Sequence, residues 1–210
     1  MLKVYAFSTP NSVKVAIALE ELALDYTLHP VNIRAGGQKT PEFTALNPNV
    51  KVPVLVDPEA PGGPLTLTES AAILVYLAEK AGKLLPATSP GRARVFEQLF
   101  LHASGLSPAF GNAGYFRKSA PEPIPLAIDR FGNEALRIVG LLDGVLARQP
   151  FIAGEALTIA DIAHYGWLWR RQFAEVSLEE APNVQRWYDV LEARPAFQRA
   201  IARVTALAES

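Results

Sequence analysis

The chain has 210 residues, half of them apolar, and a formal net charge of −1. That length suits one large domain or two small ones, the apolar share supports an ordinary core, and near-neutrality implies no polyanionic partner. Cysteine is absent, which excludes disulfide staples, thiolate metal sites and a protein-borne redox thiol, so any sulfur chemistry needs sulfur from a ligand. No run reaches the ~18 apolar residues of a membrane helix. The opening L-K-V-Y-A-F reads as a strand and not as an export signal, so a cytoplasmic protein is the expectation.

Taken in order, Leu2 to Phe7 is a short buried-type strand. Ser8-Thr9-Pro10-Asn11-Ser12 is a turn and helix start, with several possible caps and a proline suited to a first turn. Val13 to Leu24 is a helix whose polar points are Lys14 and Glu20-Glu21, and Tyr26 to Ile33 returns as a strand. Arg34 to Gln38 is a loop, and Pro41 to Leu46 makes one or two helical turns. Val54-Leu55-Val56 and Leu65-Thr66-Leu67, joined by E-A-P-G-G-P, read as a hairpin. Pro53 cannot donate to a ladder and belongs at a first strand position. A cis Val52-Pro53 bond there would turn the Val52 backbone groups outward, toward a peptide-like ligand.

The segment Thr68-Glu69-Ser70 opens an Ala/Leu-rich helix that Gly82 ends. Backbone N–H groups, a hydroxyl and a carboxylate converge at its start, which suits the α-carboxylate and ammonium of an amino acid. The same residues also read as a plain N-capped helix, with Thr68 as cap and Glu69 favourable to the helix dipole. The order β-α-β-α-β-β-α is the thioredoxin-like plan in a mixed sheet.

Leu85 to Gly91 is a Pro/Ser-rich linker, after which no strand-like alternation survives. Helices are expected over 92–104, 125–149, 158–174, 184–193 and 195–208. The expected architecture is thus an α/β thioredoxin-like N-terminal domain, residues 1–84, followed by an all-α domain, residues 91–210. Thr158 to Asp161 matches a capping box with Leu157 and Ile162 at staple positions, a structural feature.

V-P-V-L followed by E-S-x-A-I-L-x-Y-L resembles the glutathione-binding half of cytosolic glutathione transferases. T-P-N-x-x-K, G-G-Q, P-E-F and N-P-N-x-K-V-P, with G-x-x-P-x-x-G around Gly105, Pro108 and Gly111, A-P-x-x-I-P and A-I-x-R, are most similar to its nu-class branch of glutathione-dependent disulfide-bond oxidoreductases. The likeness runs nearly the full length.

The resemblance implies glutathione as co-substrate, with Thr9 and Asn11 facing its sulfur. It implies that Gln38, Val52, Pro53, Glu69 and Ser70 hold the tripeptide, that Lys51 lies near the glycyl end and that Arg130 comes from the helical domain. It also implies a homodimer. The turn at Ser8 to Lys14 suits the sulfur, because a helix N-terminus lowers thiol pKa values and the Thr9, Asn11, Ser8 or Ser12 side chains can donate to a thiolate. Read without the downstream E-S signature, the turn is only a cap.

Disulfide reduction by two glutathiones is the expected activity. Conjugation to electrophiles, peroxide reduction in the same site, or a non-catalytic interaction module are the alternatives. Where the family has Gly-His before the lysine, this chain has Ser12-Val13, and an aromatic- and Gln-rich helix reads Q-L-F-L-H-A. These residues are expected to neighbour the second-substrate pocket. Phe110, Tyr115 and Phe116, in a loop from Gly105 to Pro125, are expected to form an aromatic lid over that pocket. Tyr5 reads as core. His29, His102 and His164 are dispersed without ligand spacing, so no metal is expected. Gly36-Gly37 lacks the surrounding pattern of a phosphate loop, and Arg170-Arg171 is too short a pair for nucleic acid.

Overall fold

The computed structural model describes residues 1–209 and divides into two compact units. The first comprises Met1–Lys83 with the segment from Arg194 on, and the second comprises Leu84–Ala193.

In the first unit β1 (Leu2–Ala6), β2 (Tyr26–Pro30), β3 (Val54–Asp57) and β4 (Leu65–Leu67) form one mixed sheet in the order β2-β1-β3-β4. β1 runs parallel to β2, as a helical crossover requires, while β3 is antiparallel to both β1 and β4. The crossover is α1 (Pro10–Glu21), and every residue from Ser12 to Leu19 is buried. A helix buried all round needs no polar stripe. Lys14 is therefore no solvent-facing point of α1, as its flanking pattern had implied: it is fully buried.

α2 (Pro41–Leu46) follows a short 3-10 turn, Gly37–Lys39, and α3 (Ser70–Ala81) follows β4. Gly82 ends α3 in the left-handed conformation, at φ 65°. Asp57 of β3 accepts a hydrogen bond from Tyr76 Oη at 2.5 Å and pairs with Lys80 at 2.8 Å, which fixes α3 against the sheet through two side chains one turn apart.

The second unit holds α4 (Gly91–Leu101), a π-helical turn (His102–Leu106), α5 (Ser107–Lys118), α6 (Pro125–Leu146), α7 (Ile159–Trp169), α8 (Arg171–Ala174) and α9 (Pro182–Glu192). The stretch expected as a loop from Gly105 is thus helical to Lys118. Pro108 follows directly on the π-helical turn, within a helical run continuous from α4, where the hydrogen-bond ladder is already shifted from its α spacing, and the glycines permit close packing. A Cβ on Gly114 would lie 2.1 Å from the Phe173 ring.

Thr158 and Asp161 form the expected capping box at the start of α7, and Asp161 also accepts from the Ile152 N–H and from Trp187 Nε1. Asp143 of α6 accepts from the Asn183 and Val184 N–H groups at the start of α9. Among the described residues no helix is long and apolar enough to cross a membrane.

The last helix, α10 (Pro195–Ala206), expected in the all-α domain, belongs instead to the first compact unit, where it packs on α1. Arg194 grips Glu21 through two hydrogen bonds of 2.7 and 2.9 Å, and Arg199 and Arg203 reach Glu20 at 2.8 and 2.9 Å.

Candidate glutathione site

The sheet register explains how distant residues meet. Tyr5 pairs with Val54, Ala6 with Pro30 and Leu55 with Leu67. The C-terminal ends of β1, β2 and β4 and the N-terminal end of β3 therefore share one end of the sheet. From that end leave the Ser8–Ser12 turn, the loop to Gln38, the Lys51–Pro53 entrance and the Glu69–Ser70 helix start. In open α/β sheets ligands bind outside the carboxyl ends of the strands.

Thr9 is the N-cap of α1, in an extended conformation, and Pro10 occupies the first turn. Thr9 Oγ1 accepts from the Ser12 N–H at 3.2 Å and donates to Ser12 Oγ at 2.9 Å. Ser12 Oγ also accepts from the Phe7 N–H at 3.4 Å. Ser12 and Val13 are completely buried beneath the turn, so neither lines a substrate pocket and Ser12 offers its hydroxyl to Thr9 and not to a ligand. Asn11 is half-buried, and its Oδ1 accepts from Lys14 Nζ at 2.6 Å. Burial pushes Lys14 well below the ordinary lysine range, and the charge of Glu69 acts in the opposite direction.

The Val52–Pro53 bond is cis. Among the described residues the Val52 N–H and C=O join no backbone hydrogen bond. Asn47, which the sequence reading passed over, braces the approach to them. Its Nδ2 donates to the Lys51 carbonyl at 2.7 Å and its Oδ1 accepts from the Asn49 N–H at 3.0 Å. Lys51 itself is exposed. Gln38 lies in the 3-10 turn, and its Oε1 is withdrawn from solvent with no hydrogen-bond partner among the described residues.

At the start of α3 the plain capping arrangement is absent. Glu69, not Thr68, is the N-cap residue, and its side chain makes no capping hydrogen bond. Its backbone sits at φ 64°, ψ 110°, a conformation that costs a non-glycine residue about 1–3 kcal/mol and clusters at ligand clamps. The Glu69 side chain is exposed, and Ser70 follows as the first helical residue.

Phe110, Tyr115, Phe116 and Arg130 lie in the second unit. Phe110 is fully buried, its ring 6.4 Å from that of Trp167, so it belongs to the core and not to a lid. Tyr115 is 46% exposed, and Phe116 stacks on Phe131 at 5.6 Å. Both lie on α5, and Arg130 lies exposed on α6. His102 and His164, far apart in the chain, pack edge to face at 5.1 Å. Among the described residues no group of three or more His, Cys, Asp or Glu is placed to hold a metal ion. Tyr5 is half-buried, stacked on His29 and packed against the Val31, Phe43 and Val54 cluster.

A thioredoxin-like sheet with a capping turn after β1, a cis-proline entrance to β3 and a strained acidic residue before α3, followed by a helical domain, defines the glutathione transferase class. The family model for the glutathione S-transferase N-terminal domain matches residues 9–80, and that for the C-terminal domain matches residues 128–195. The chain belongs to the glutathione S-transferase family.

It is similar to the disulfide-bond oxidoreductase YfcG of Escherichia coli (strain K12), at 40% identity over 97% of this chain and 95% of that one. A second relative from the same organism, the disulfide-bond oxidoreductase YghU, is 36% identical over 94% of this chain and 73% of its own. Among solved structures, a glutathione transferase family member from Pseudomonas fluorescens pf-5 with two glutathione bound superposes with a TM-score of 0.92. It is 40% identical, with 95% of this chain and 92% of that chain covered. A glutathione transferase from Pseudomonas putida, with one glutathione disulfide bound per subunit, gives a TM-score of 0.89 at 37% identity, covering 95% and 90%.

Proposed function

We propose that the protein is a glutathione-dependent disulfide-bond reductase. The observation that carries this reading is a cysteine-free helix N-terminus with two side-chain donors where the fold family needs a sulfur. Glutathione supplies that sulfur. Gln38, Lys51, Val52, Glu69 and Ser70 hold the tripeptide, with Pro53 setting the Val52 backbone, and the Glu69 carboxylate takes the γ-glutamyl ammonium. The relatives solved with two glutathione, or with glutathione disulfide, support the same co-substrate.

In the reaction, the bound thiolate attacks one sulfur of a substrate disulfide, forming a mixed disulfide and expelling the other sulfur as a thiolate that takes a proton. A second glutathione thiolate then attacks the glutathione sulfur of the mixed disulfide. Substrate leaves fully reduced, and two glutathiones leave as one disulfide. The protein supplies alignment and thiolate stabilisation. For Thr9 to donate to sulfur, its pair with Ser12 reverses. Ser12, already accepting from Phe7, then gives its proton to Thr9 Oγ1, and the Thr9 proton turns to the ligand.

Thr9→Ala and Asn11→Ala should each raise the pH at which bound glutathione ionises by roughly one to two units, the worth of one hydrogen bond to a charged group. The measurement is thiolate absorbance against pH alongside a disulfide-exchange assay. Thr9→Ala also removes the cap, a separate stability loss of about 1 kcal/mol. Thr9→Ser controls for it. If neither change moves the titration or the exchange rate, the turn is only a helix cap and the proposal falls.

Tyr115 and Phe116 as second-substrate contacts, Arg130 as a further glutathione contact and a cytoplasmic location belong to the same proposal. So does a two-fold homodimer, the commonest form of homo-oligomer. Light scattering at micromolar concentration should give twice the 22.8 kDa chain mass, and a monomer would count against it.

A further inference from the structure

The thiol site as built from sequence has two donors, but the structure places a third group under it that no donor role absorbs. Lys14 is a fully buried lysine in a helix whose face at that point has no water to offer. Its Nζ lies 2.6 Å from Asn11 Oδ1, one turn earlier in α1. Nζ donates to that oxygen, which sets the Asn11 carboxamide with Oδ1 inward. The amide is planar, and fixing its oxygen on Lys14 directs the Nδ2 hydrogens away from Lys14. A free asparagine would present oxygen and nitrogen about equally, and half of those orientations would set a carbonyl dipole against a thiolate.

We propose that Lys14 is a positioning residue of the thiol site: its buried amino group, donating to Oδ1, locks the Asn11 amide in the orientation that donates to the glutathione sulfur. The proposal rests on the reading of the α1 turn as the sulfur site. It adds that the donor strength of Asn11 is set by a residue that touches no ligand. Burial acts against a charge on this amino group, and the Glu69 carboxylate acts in the opposite direction.

Lys14→Met tests this, since it keeps the length and apolar stem and removes the donor. Asn11, the partner it leaves, is half-buried and can turn to water, so any loss of melting temperature should be modest and the variant should stay folded. The bound-thiol ionisation should nevertheless move up by about one pH unit, as in Asn11→Ala, with the double variant no worse than Asn11→Ala alone. Lys14→Gln, which can still donate, should fall between Met and native, and it carries the same test if the Met variant fails to fold.

A second readout needs no glutathione. The Asn11 side-chain amide resonances, assigned by their loss in Asn11→Ala, should broaden or shift toward solvent-exposed values in Lys14→Met. If native protein binds no glutathione while the amide responds as stated, the functional reading fails and the Lys14–Asn11 lock stands. If glutathione binds but neither the amide resonances nor the thiol titration respond to folded Lys14 variants, Lys14 is structural and the inference is wrong.

Discussion

Glu69→Gly should melt at a higher temperature than Glu69→Ala, although both should lose most of their affinity for glutathione. The backbone at Glu69 sits at φ 64°, ψ 110°, where glycine is at ease and alanine keeps the Cβ penalty. Relief of that strain is worth about 1–3 kcal/mol. The side chain is exposed and caps nothing, so its own contribution to folding is small, within about 0.5 kcal/mol for an ordinary surface change. Binding is different. Removing the counter-charge of a bound ammonium costs about 1.5–3 kcal/mol, roughly a ten- to hundredfold loss of affinity. Glu69→Gln should lose nearly as much while melting like native protein. Calorimetry with reduced glutathione and thermal unfolding of all three variants decide the matter. Unchanged affinity with a lowered melting temperature would make Glu69 a structural residue only.

That strain was invisible in the sequence, because glutamate gives no sign of a positive φ. Much of the site was legible all the same. The E-A-P-G-G-P turn between two apolar runs marks the hairpin, and Pro53 at the entrance to Val54–Asp57 marks which strand end faces the ligand. The Ser8–Ser12 turn is visible from its caps and its proline. What failed did so for identifiable reasons. Gly105, Pro108, Gly111 and Gly114 read as a loop by composition. Pro108 follows directly on a π-helical turn inside a continuous helical run, and Gly114 is small because the Phe173 ring lies against it.

Lys14 read as a polar point because lysine is rarely buried. The warning was its setting: in V-K-V-A-I-A-L it is the one polar residue in an unbroken apolar run. The ion pairs of Arg194 with Glu21 and of the α10 arginines with Glu20 join residues more than 170 positions apart and leave no local signal.

Asp161→Ala should be among the most destabilising single changes in the chain, while the activity of whatever fraction stays folded is retained. Asp161 is completely buried, and its two carboxylate oxygens accept four hydrogen bonds. Oδ1 takes the Ile152 N–H at 2.8 Å and Trp187 Nε1 at 3.0 Å, and Oδ2 takes the Thr158 N–H at 2.9 Å and hydroxyl at 3.0 Å. Alanine strands these donors in a dry interior. Each unpaired buried donor costs about 1–3 kcal/mol, so even partial relaxation leaves several kcal/mol against a total stability of about 5–15. Asp161→Asn keeps the shape and one acceptor oxygen but turns an NH2 toward donors, so it should fall between native and alanine. Thr158→Val, losing the hydroxyl alone, should cost least, since the Thr158 backbone N–H still reaches Oδ2. Urea unfolding of the three variants should rank them Ala, Asn, Val from least to most stable. A midpoint for Asp161→Ala within experimental error of native would show that this carboxylate is not what holds the start of α7.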